Sequence, residues 1–266
     1  MERKLLYMRT NGGNPMSENT QSTAGDKPAH SRGEHHAALD EKYPTKRGPM
    51  DVLAKNIFLL LTHITCDMKC YHKENFPKSN PYVVASNHQS YPDGVLIIDY
   101  LPKGHFKWMC CLAASDLETD HGYLGRLIMR VGRGIAVDRY GNPVRGLIKA
   151  KKEVEKGNIC FVFPEGTRSH TGKLGEMKDG AAYLAIKANV PLVPVYISGA
   201  YQIWPRTQKH PHPFKGFLKR KKIRIYIGEP MHAADYDNDP HKMTAAFCQW
   251  MHDMEDKYWD PDLAFD

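Results

Sequence analysis

Hydrophobic positions are sparse over the first 48 residues and then recur in two alternating rhythms. Residues 1–48 are rich in Asn, Gly, Ser, Thr, Pro, His and charge, with almost no apolar periodicity, which predicts a flexible leader. Its opening Met-Glu-Arg-Lys-Leu-Leu-Tyr lacks the apolar core of a signal peptide, and Met16 offers an alternative start. From Pro49 onward, Val52, Leu53, Ile57, Leu60 and Leu61 fall at helical spacing, with Lys55 and His63 at polar positions. This predicts an amphipathic helix that packs one face on the domain or rests on a bilayer, and one helix can do both. Beyond it, short apolar runs alternate with helical stripes. Strands are predicted at 82–86, 106–112, 134–137, 159–163, 192–197 and 222–228, and helices at 93–101, 123–131, 143–157, 180–189 and 240–258. No internal repeat is present. The alternation predicts an α/β fold over 49–266, a single domain whose mixed, largely parallel sheet is flanked by helices. In such sheets, sites lie in the loops beyond the strand carboxyl ends.

Composition narrows the partners. At 266 residues with 41% hydrophobic side chains, the chain can fill one large domain. Its 37 Lys and Arg against 30 Asp and Glu give a net charge of +7, which admits phosphorylated small molecules, an anionic membrane or nucleic acid. The basic residues follow no nucleic-acid module, so that partner is set aside. The apolar run Ile57 to Leu61, like every other in the chain, is far short of the roughly 20 residues a spanning helix needs. Six scattered cysteines suggest buried thiols in a reducing compartment rather than a disulfide framework. A zinc site on Cys66 and Cys70, with His63 or His72 nearby, is the alternative.

Two loops carry candidate chemistry. In Ser86-Asn87-His88-Gln89-Ser90-Tyr91-Pro92-Asp93, His88 and Asp93 would point about 140° apart on one continuous helix. Pro92 instead marks a helix start, so a turn can return Asp93 against His88. Such a carboxylate would orient the imidazole as a general base; a capping role is the plainer reading. In Phe163-Pro164-Glu165-Gly166-Thr167-Arg168-Ser169, Gly166 permits close backbone approach, Thr167 offers a hydroxyl, and Arg168 can grip a phosphate through two bonds. Glu165 would orient Arg168 or bind an acceptor hydroxyl, unless the loop is a polar turn closed by a Glu–Arg pair. Gly132 to Arg139, a strand followed by an arginine, and Val193-Pro194-Val195 read on their own as a structural ion pair and a buried strand with a proline at its edge.

In this order the four segments resemble the glycerolipid acyltransferase family, specifically its 1-acyl-glycerol-3-phosphate (lysophosphatidic acid) acyltransferases. Asn87, His88 and Asp93 match the family's Asn-His-x4-Asp, and Phe163 to Ser169 match its Phe-Pro-Glu-Gly-Thr-Arg-Ser residue for residue. Val193 to Val195 match a later motif, and Lys178-Asp-Gly180 is similar to the Lys-x-Gly that follows the phosphate motif. The resemblance spans about residues 50–230. It implies a glycerol-3-phosphate acyltransferase-like fold, with His88 and Asp93 catalytic and Glu165, Gly166, Thr167, Arg168 and Arg139 holding phosphate or glycerol. The implied reaction moves a fatty acyl group from acyl-CoA or acyl-carrier protein to the sn-2 hydroxyl of 1-acyl-glycerol-3-phosphate, giving phosphatidic acid. It needs no metal and no cofactor beyond the thioester co-substrate, and places the protein on the cytoplasmic face of a membrane as a peripheral enzyme.

Two positions depart from the family pattern. Arg133 stands where a Gly is usual, and Leu112-Ala-Ala-Ser-Asp-Leu117 lacks the Lys that many members carry there. The same chemistry on another lysophospholipid or an amino lipid, hydrolysis of the thioester, and a catalytically idle membrane-associated lipid-binding protein therefore stand as alternatives. Ser86 or Ser90 as a nucleophile lacks the surrounding Gly-x-Ser-x-Gly turn. The basic and apolar stretch from Lys215 to Lys222, with Tyr201 and Trp204 before it, suits an anionic membrane, the phosphates of CoA or an acidic carrier protein, or plain solvent.

Overall fold

Among the described residues nine strands form, most of them on short runs of β-branched and aromatic residues separated by Gly, Pro and Asn. The computed structural model describes residues 44–115, 117, 122–137, 144–215 and 219–260. By contacts the chain divides into 1–39, outside the described residues, and 40–266, to which all that follows refers. The strands are β1 (Asp67–Tyr71), β2 (Val83–Ser86), β3 (Met109–Ala114), β4 (Gly134–Val137), β5 (Ile159–Val162), β6 (Leu192–Ser198), β7 (Phe214–Lys215), β8 (Lys219–Arg220) and β9 (Lys222–Ile227). Seven of them make one sheet in the order β1-β9-β6-β2-β5-β3-β4, and β7 pairs with β8 as a separate hairpin. Every pairing in the large sheet is parallel except β6 with β9. The sheet is thus mixed and largely parallel, as expected.

Helices cover both faces. They are α1 (Pro49–Thr65), α2 (Asp93–Ile98), α3 (Gly122–Gly132), α4 (Val144–Glu155), α5 (Gly180–Ala188), α6 (Ala200–Ile203) and α7 (Pro240–Tyr258). Strands β2 and β5 are buried at every position, which is why they read as unbroken apolar runs. Val83, Ala85, Cys160 and Val162 face a core shared with Leu184 of α5 and Phe247 of α7. Val84, Phe161, Val193 and Ile197 face the other side, against Leu96 and Ile97 of α2. Each fully buried Val, Ile, Leu or Phe among them contributes about 1.5–3 kcal/mol.

The packed chain starts ahead of the expected boundary at Pro49. Thr45 is buried, donating its N–H to Gly134 O (3.1 Å) and its hydroxyl to Met129 O (2.6 Å). Arg47 donates to Val131 O, Phe106 O and Met109 O at 2.8, 2.7 and 3.3 Å, and its guanidinium lies 3.8 Å above the Phe106 ring. Helix α1 then begins at Pro49, with Gly48 N–H donating to Asp51 Oδ2 (2.8 Å) and Asp51 Oδ1 paired with Arg130 Nε of α3 (2.9 Å). The inward face of α1 is Leu59 and Thr62 with Phe58 beside them, while Leu53, Ile57, Leu60 and Leu61 of the expected stripe are exposed.

Three stretches differ from expectation for local reasons. Phe106 to Trp108 belong to a 3-10 turn, His105–Trp108, so β3 starts only at Met109. Helix α2 stops at Ile98 rather than 101, because the chain tightens there into three-residue turns, Tyr100 N donating to Ile97 O (3.1 Å) and Leu101 N to Ile98 O (3.3 Å). Strand β1 was not expected: Asp67 and Lys69 break its apolar pattern, and it survives as an edge strand pairing with β9 alone. Cys66 is buried at the end of α1, and no group of three His, Cys, Asp or Glu fit to hold a metal forms among the described residues.

Candidate active site

Strands β2 and β5 lie side by side and parallel, with Ala85 opposite Val162. The loops that follow them must therefore leave the same edge of the sheet together. The β2 loop runs from Asn87 to Pro92, and Asn87 fixes it to β6: its Nδ2 donates to Ile197 O (2.9 Å) and its Oδ1 accepts from Ile197 N (2.8 Å). Asp93, the first residue of α2, is fully buried. Its Oδ2 accepts from His88 Nδ1 (2.9 Å), Gln89 N (2.7 Å) and Ser90 N (2.7 Å), so the turn does bring the carboxylate back onto the imidazole. The His88 ring stacks on Phe163 with centroids 4.1 Å apart. With Nδ1 committed to Asp93, Nε2 is the nitrogen left for chemistry.

The β5 loop is tied to His88 through the main chain. Glu165 Oε1 accepts from His88 N (2.8 Å), and Ser169 N donates to His88 O (2.7 Å). The second Glu165 oxygen accepts from Gly175 N (3.1 Å), an approach so close that a Cβ on Gly175 would meet that oxygen at 2.9 Å. Both Glu165 oxygens are therefore committed to main-chain donors of the two loops. The expected partner, Arg168, is elsewhere. Burial raises the Glu165 carboxyl to about 7, although the two N–H donors favour its charged form. Gly166 takes φ +69°, which closes the turn from Phe163 O to its own N–H (2.9 Å) and leaves its open side to the Lys178 amine.

Arg168 lies over the Tyr91 ring, its guanidinium carbon 3.4 Å from the centroid. Its Nη1 is buried with no hydrogen-bond partner, and burial lowers its pKa from the ordinary value. Thr167 Oγ1 accepts from Arg206 Nη1 (3.0 Å), which also donates to His170 Nε2 (3.1 Å). One cavity of about 430 Å³ joins these groups: His88, Gly166, Thr167, Arg168, Lys178 and Arg206 line it, along with apolar side chains of α2, β3 and α3.

Sequence reasoning passed over Arg206. The signal that would have found it is topological: β6 runs parallel to β2 and β5, so the chain after Ser198 emerges at the same edge. Of the other expected residues, Arg139 lies outside the described residues. Arg133 turns away toward Asn158 Oδ1 (3.1 Å) and Glu153, while Gly132 and Gly134 on either side line the cavity. Val193 to Val195 are buried within β6 and do not reach it. Neither Ser86 nor Ser90 lines it: Ser86 Oγ donates to Asn87 O (3.1 Å) and Ser90 Oγ to Trp204 O (2.8 Å).

Comparison with known proteins agrees with this geometry. Residues 67–198, which contain both loops, match the family model described as Acyltransferase. The chain is 30% identical over 212 residues to the 1-acyl-sn-glycerol-3-phosphate acyltransferase of Bacillus subtilis (strain 168), covering 76% of this chain and 95% of that one. It is 35% identical over 131 residues to 1-acyl-sn-glycerol-3-phosphate acyltransferase alpha of Ovis aries, of whose length it spans 43%. In fold it matches the crystal structure of the 1-acyl-sn-glycerophosphate (LPA) acyltransferase PlsC from Thermotoga maritima, with a TM-score of 0.60 at 23% identity over 87% of this chain and 84% of that one. With nearly the full length of the Bacillus protein matched, and both chemical loops inside the matched region, this chain belongs to the 1-acyl-sn-glycerol-3-phosphate acyltransferase family.

Proposed function

We propose that this acyltransferase moves a fatty acyl group from acyl-CoA or acyl-carrier protein to the sn-2 hydroxyl of 1-acyl-glycerol-3-phosphate, forming phosphatidic acid. The observation that carries the reading is that His88, held by Asp93 at 2.9 Å, opens on the same cavity as Arg168 and Thr167. In the transfer, His88 Nε2 takes the proton of the acceptor hydroxyl as its oxygen bonds to the thioester carbonyl carbon. The carbonyl electron pair moves to oxygen, then returns as the C–S bond breaks. The imidazolium gives its proton to the departing thiolate. No acyl-enzyme forms, and no metal or further cofactor takes part. Asp93 keeps the proton on Nδ1 and steadies the imidazolium. The cationic rim holds the acceptor phosphate, which also fixes the hydroxyl near it, and the apolar floor takes hydrocarbon chain.

Incubation with acyl-CoA, with and without lysophosphatidate, tests the reaction by following free thiol and product mass. Wild type should release one thiol per phosphatidic acid formed and almost none without acceptor. His88→Ala should lower kcat by about 10²–10⁴ with its fold intact. Unchanged turnover by that variant, or thiol release matched by free fatty acid, would reject the reading.

Glu165 acts on this chemistry as a positioning residue, since both its oxygens hold backbone N–H groups of the two loops. Its carboxyl binds a proton up to about pH 7 in the folded chain but only to about 4.5 when unfolded. Between those values the native state holds more protons, so this group's contribution to stability falls as pH rises. Glu165→Gln removes the effect. The stability of the variant relative to wild type should therefore improve by roughly 2 kcal/mol between pH 5 and pH 8. A pH-independent difference in urea unfolding would contradict this.

The lipid acceptor and product put the enzyme at an anionic membrane surface, and no described helix is long and apolar enough to cross one. Met50, Leu53, Ile57, Leu60 and Ile64 form an exposed stripe along α1. Arg220 Nη1 donates to His63 O (3.1 Å), which sets the basic β7–β8 hairpin against the last turn of α1. Lys219 and Arg220 are exposed there, whereas Lys221 is turned in, donating to Gln202 O (2.9 Å). Each cation near an anionic surface contributes about 1 kcal/mol. Flotation with vesicles containing phosphatidylglycerol should carry wild type upward, and both Lys219→Gln/Arg220→Gln and Leu60→Ser/Ile64→Ser should float at least several-fold less. Equal flotation of all three proteins would remove this surface from the account.

A further inference from the structure

We propose that Arg206 is the second arm of a two-guanidinium clamp that makes the site select an acceptor ending in an unsubstituted phosphate monoester. The proposal rests on the acyl-transfer reading and adds the residue that sets the preference for that headgroup.

The position of Arg206 is built from both chemical loops. After β6 the chain turns through Gly199 (φ +91°) into α6 and reaches Trp204. Trp204 O accepts from Ser90 Oγ (2.8 Å), and its ring meets Tyr91 edge-on with centroids 5.6 Å apart. The segment carrying Arg206 is thus fastened to the loop carrying His88. On its other side Arg206 Nη1 donates to Thr167 Oγ1 and His170 Nε2 in the loop carrying Arg168. These two bonds use one nitrogen of a guanidinium that has three nitrogens and five N–H groups. The Nη2 and Nε donors have no partner among the described residues, and the side chain lines the cavity.

Charge points the same way. Arg168, Lys178 and Arg206 line the cavity, and no Asp or Glu does among the described residues. Arg168 has a buried nitrogen without a partner, and the charge of Arg206 is near enough to lower its pKa further, beyond the effect of burial. Two guanidiniums held on one cavity with no carboxylate between them favour an anion of more than one charge. A phosphate monoester supplies about −1.5 to −2 near pH 7 and three terminal oxygens, enough for a paired contact to each guanidinium. A phosphodiester headgroup supplies one charge and two free oxygens, so it can satisfy one arm only.

Three acceptors of equal acyl chain test the clamp: lysophosphatidate, its phosphate methyl ester, and monoacylglycerol, each with acyl-CoA. Wild type should prefer lysophosphatidate. Arg206→Gln should lose about 10- to 100-fold in kcat/KM on lysophosphatidate, mostly through KM, as expected for one charge-assisted contact. The same variant should lose at most about threefold on the methyl ester and on monoacylglycerol, with the KM for acyl-CoA unchanged. Arg206→Lys should recover only part of the loss, because an ammonium cannot make the paired contact. Equal losses on all three acceptors would show that Arg206 merely holds Thr167 and the loop, and would overturn the clamp. So would an unchanged KM for lysophosphatidate, or wild-type preference for the methyl ester. A wild type inactive on all three acceptors would instead overturn the acyl-transfer reading, and the clamp with it.

Discussion

The backbone of His88 is bonded at both ends to a loop some eighty residues later in the chain. Its N–H goes to the Glu165 carboxyl and its C=O receives the N–H of Ser169. Pairing of β2 with β5 brings the loops to one edge, but pairing alone leaves loop tips free by several ångströms. One bond from the Glu165 carboxyl and one from the Ser169 main chain, both to the backbone of His88, restrict that freedom and set the separation of the imidazole from the Arg168 loop. The cost is a buried carboxyl whose ionisation burial resists, and Gly175 is the residue small enough to let that carboxyl approach. A catalytic arrangement held within half an ångström needs support of this kind.

A second carboxyl, Asp93, does a different task with similar means. One oxygen gathers three donors at the start of α2 and so shapes the loop and orients the ring together. Capping and catalysis are not rival roles here, because the bonds that cap the turn are the ones that position the imidazole. The cavity beyond divides its walls by chemistry. Strand β3 and helices α2 and α3 supply apolar lining, and the β5 and β6 loops supply three cations. A molecule with a phosphate at one end and hydrocarbon at the other fits that division.

Much of this was legible in the residues. Strands β2, β5 and β6 announce themselves as apolar runs because both faces are covered, and α7 keeps its expected bounds from Pro240 to Tyr258. The contact of His88 with Asp93 could be read because Pro92 forces a turn between them. Other features depend on what packs against a residue, which periodicity does not carry. The α1 stripe shows that a helix face exists, not that Leu60 and Ile64 look away from the domain. Phe106 and Trp108 resemble strand residues, yet they sit in a 3-10 turn. Glu165, three residues from Arg168, looks like its ion-pair partner, but its contacts are backbone groups of His88 and Gly175. Arg206 has no motif around it, and only the direction of β6 sends it to the site.

The central claim is that His88 presents an unprotonated Nε2 to the acceptor because Asp93 retains the proton on Nδ1. Long-range nitrogen-15 correlation spectra of the histidine-labelled enzyme report that tautomer directly. In the neutral ring, the account predicts a protonated Nδ1 and a bare Nε2 whose resonance moves when lysophosphatidate is added without a thioester. It also predicts that Asp93→Asn redistributes the proton between the two nitrogens. A proton on Nε2 in the wild-type neutral ring, or an Nε2 signal indifferent to the acceptor, would contradict it.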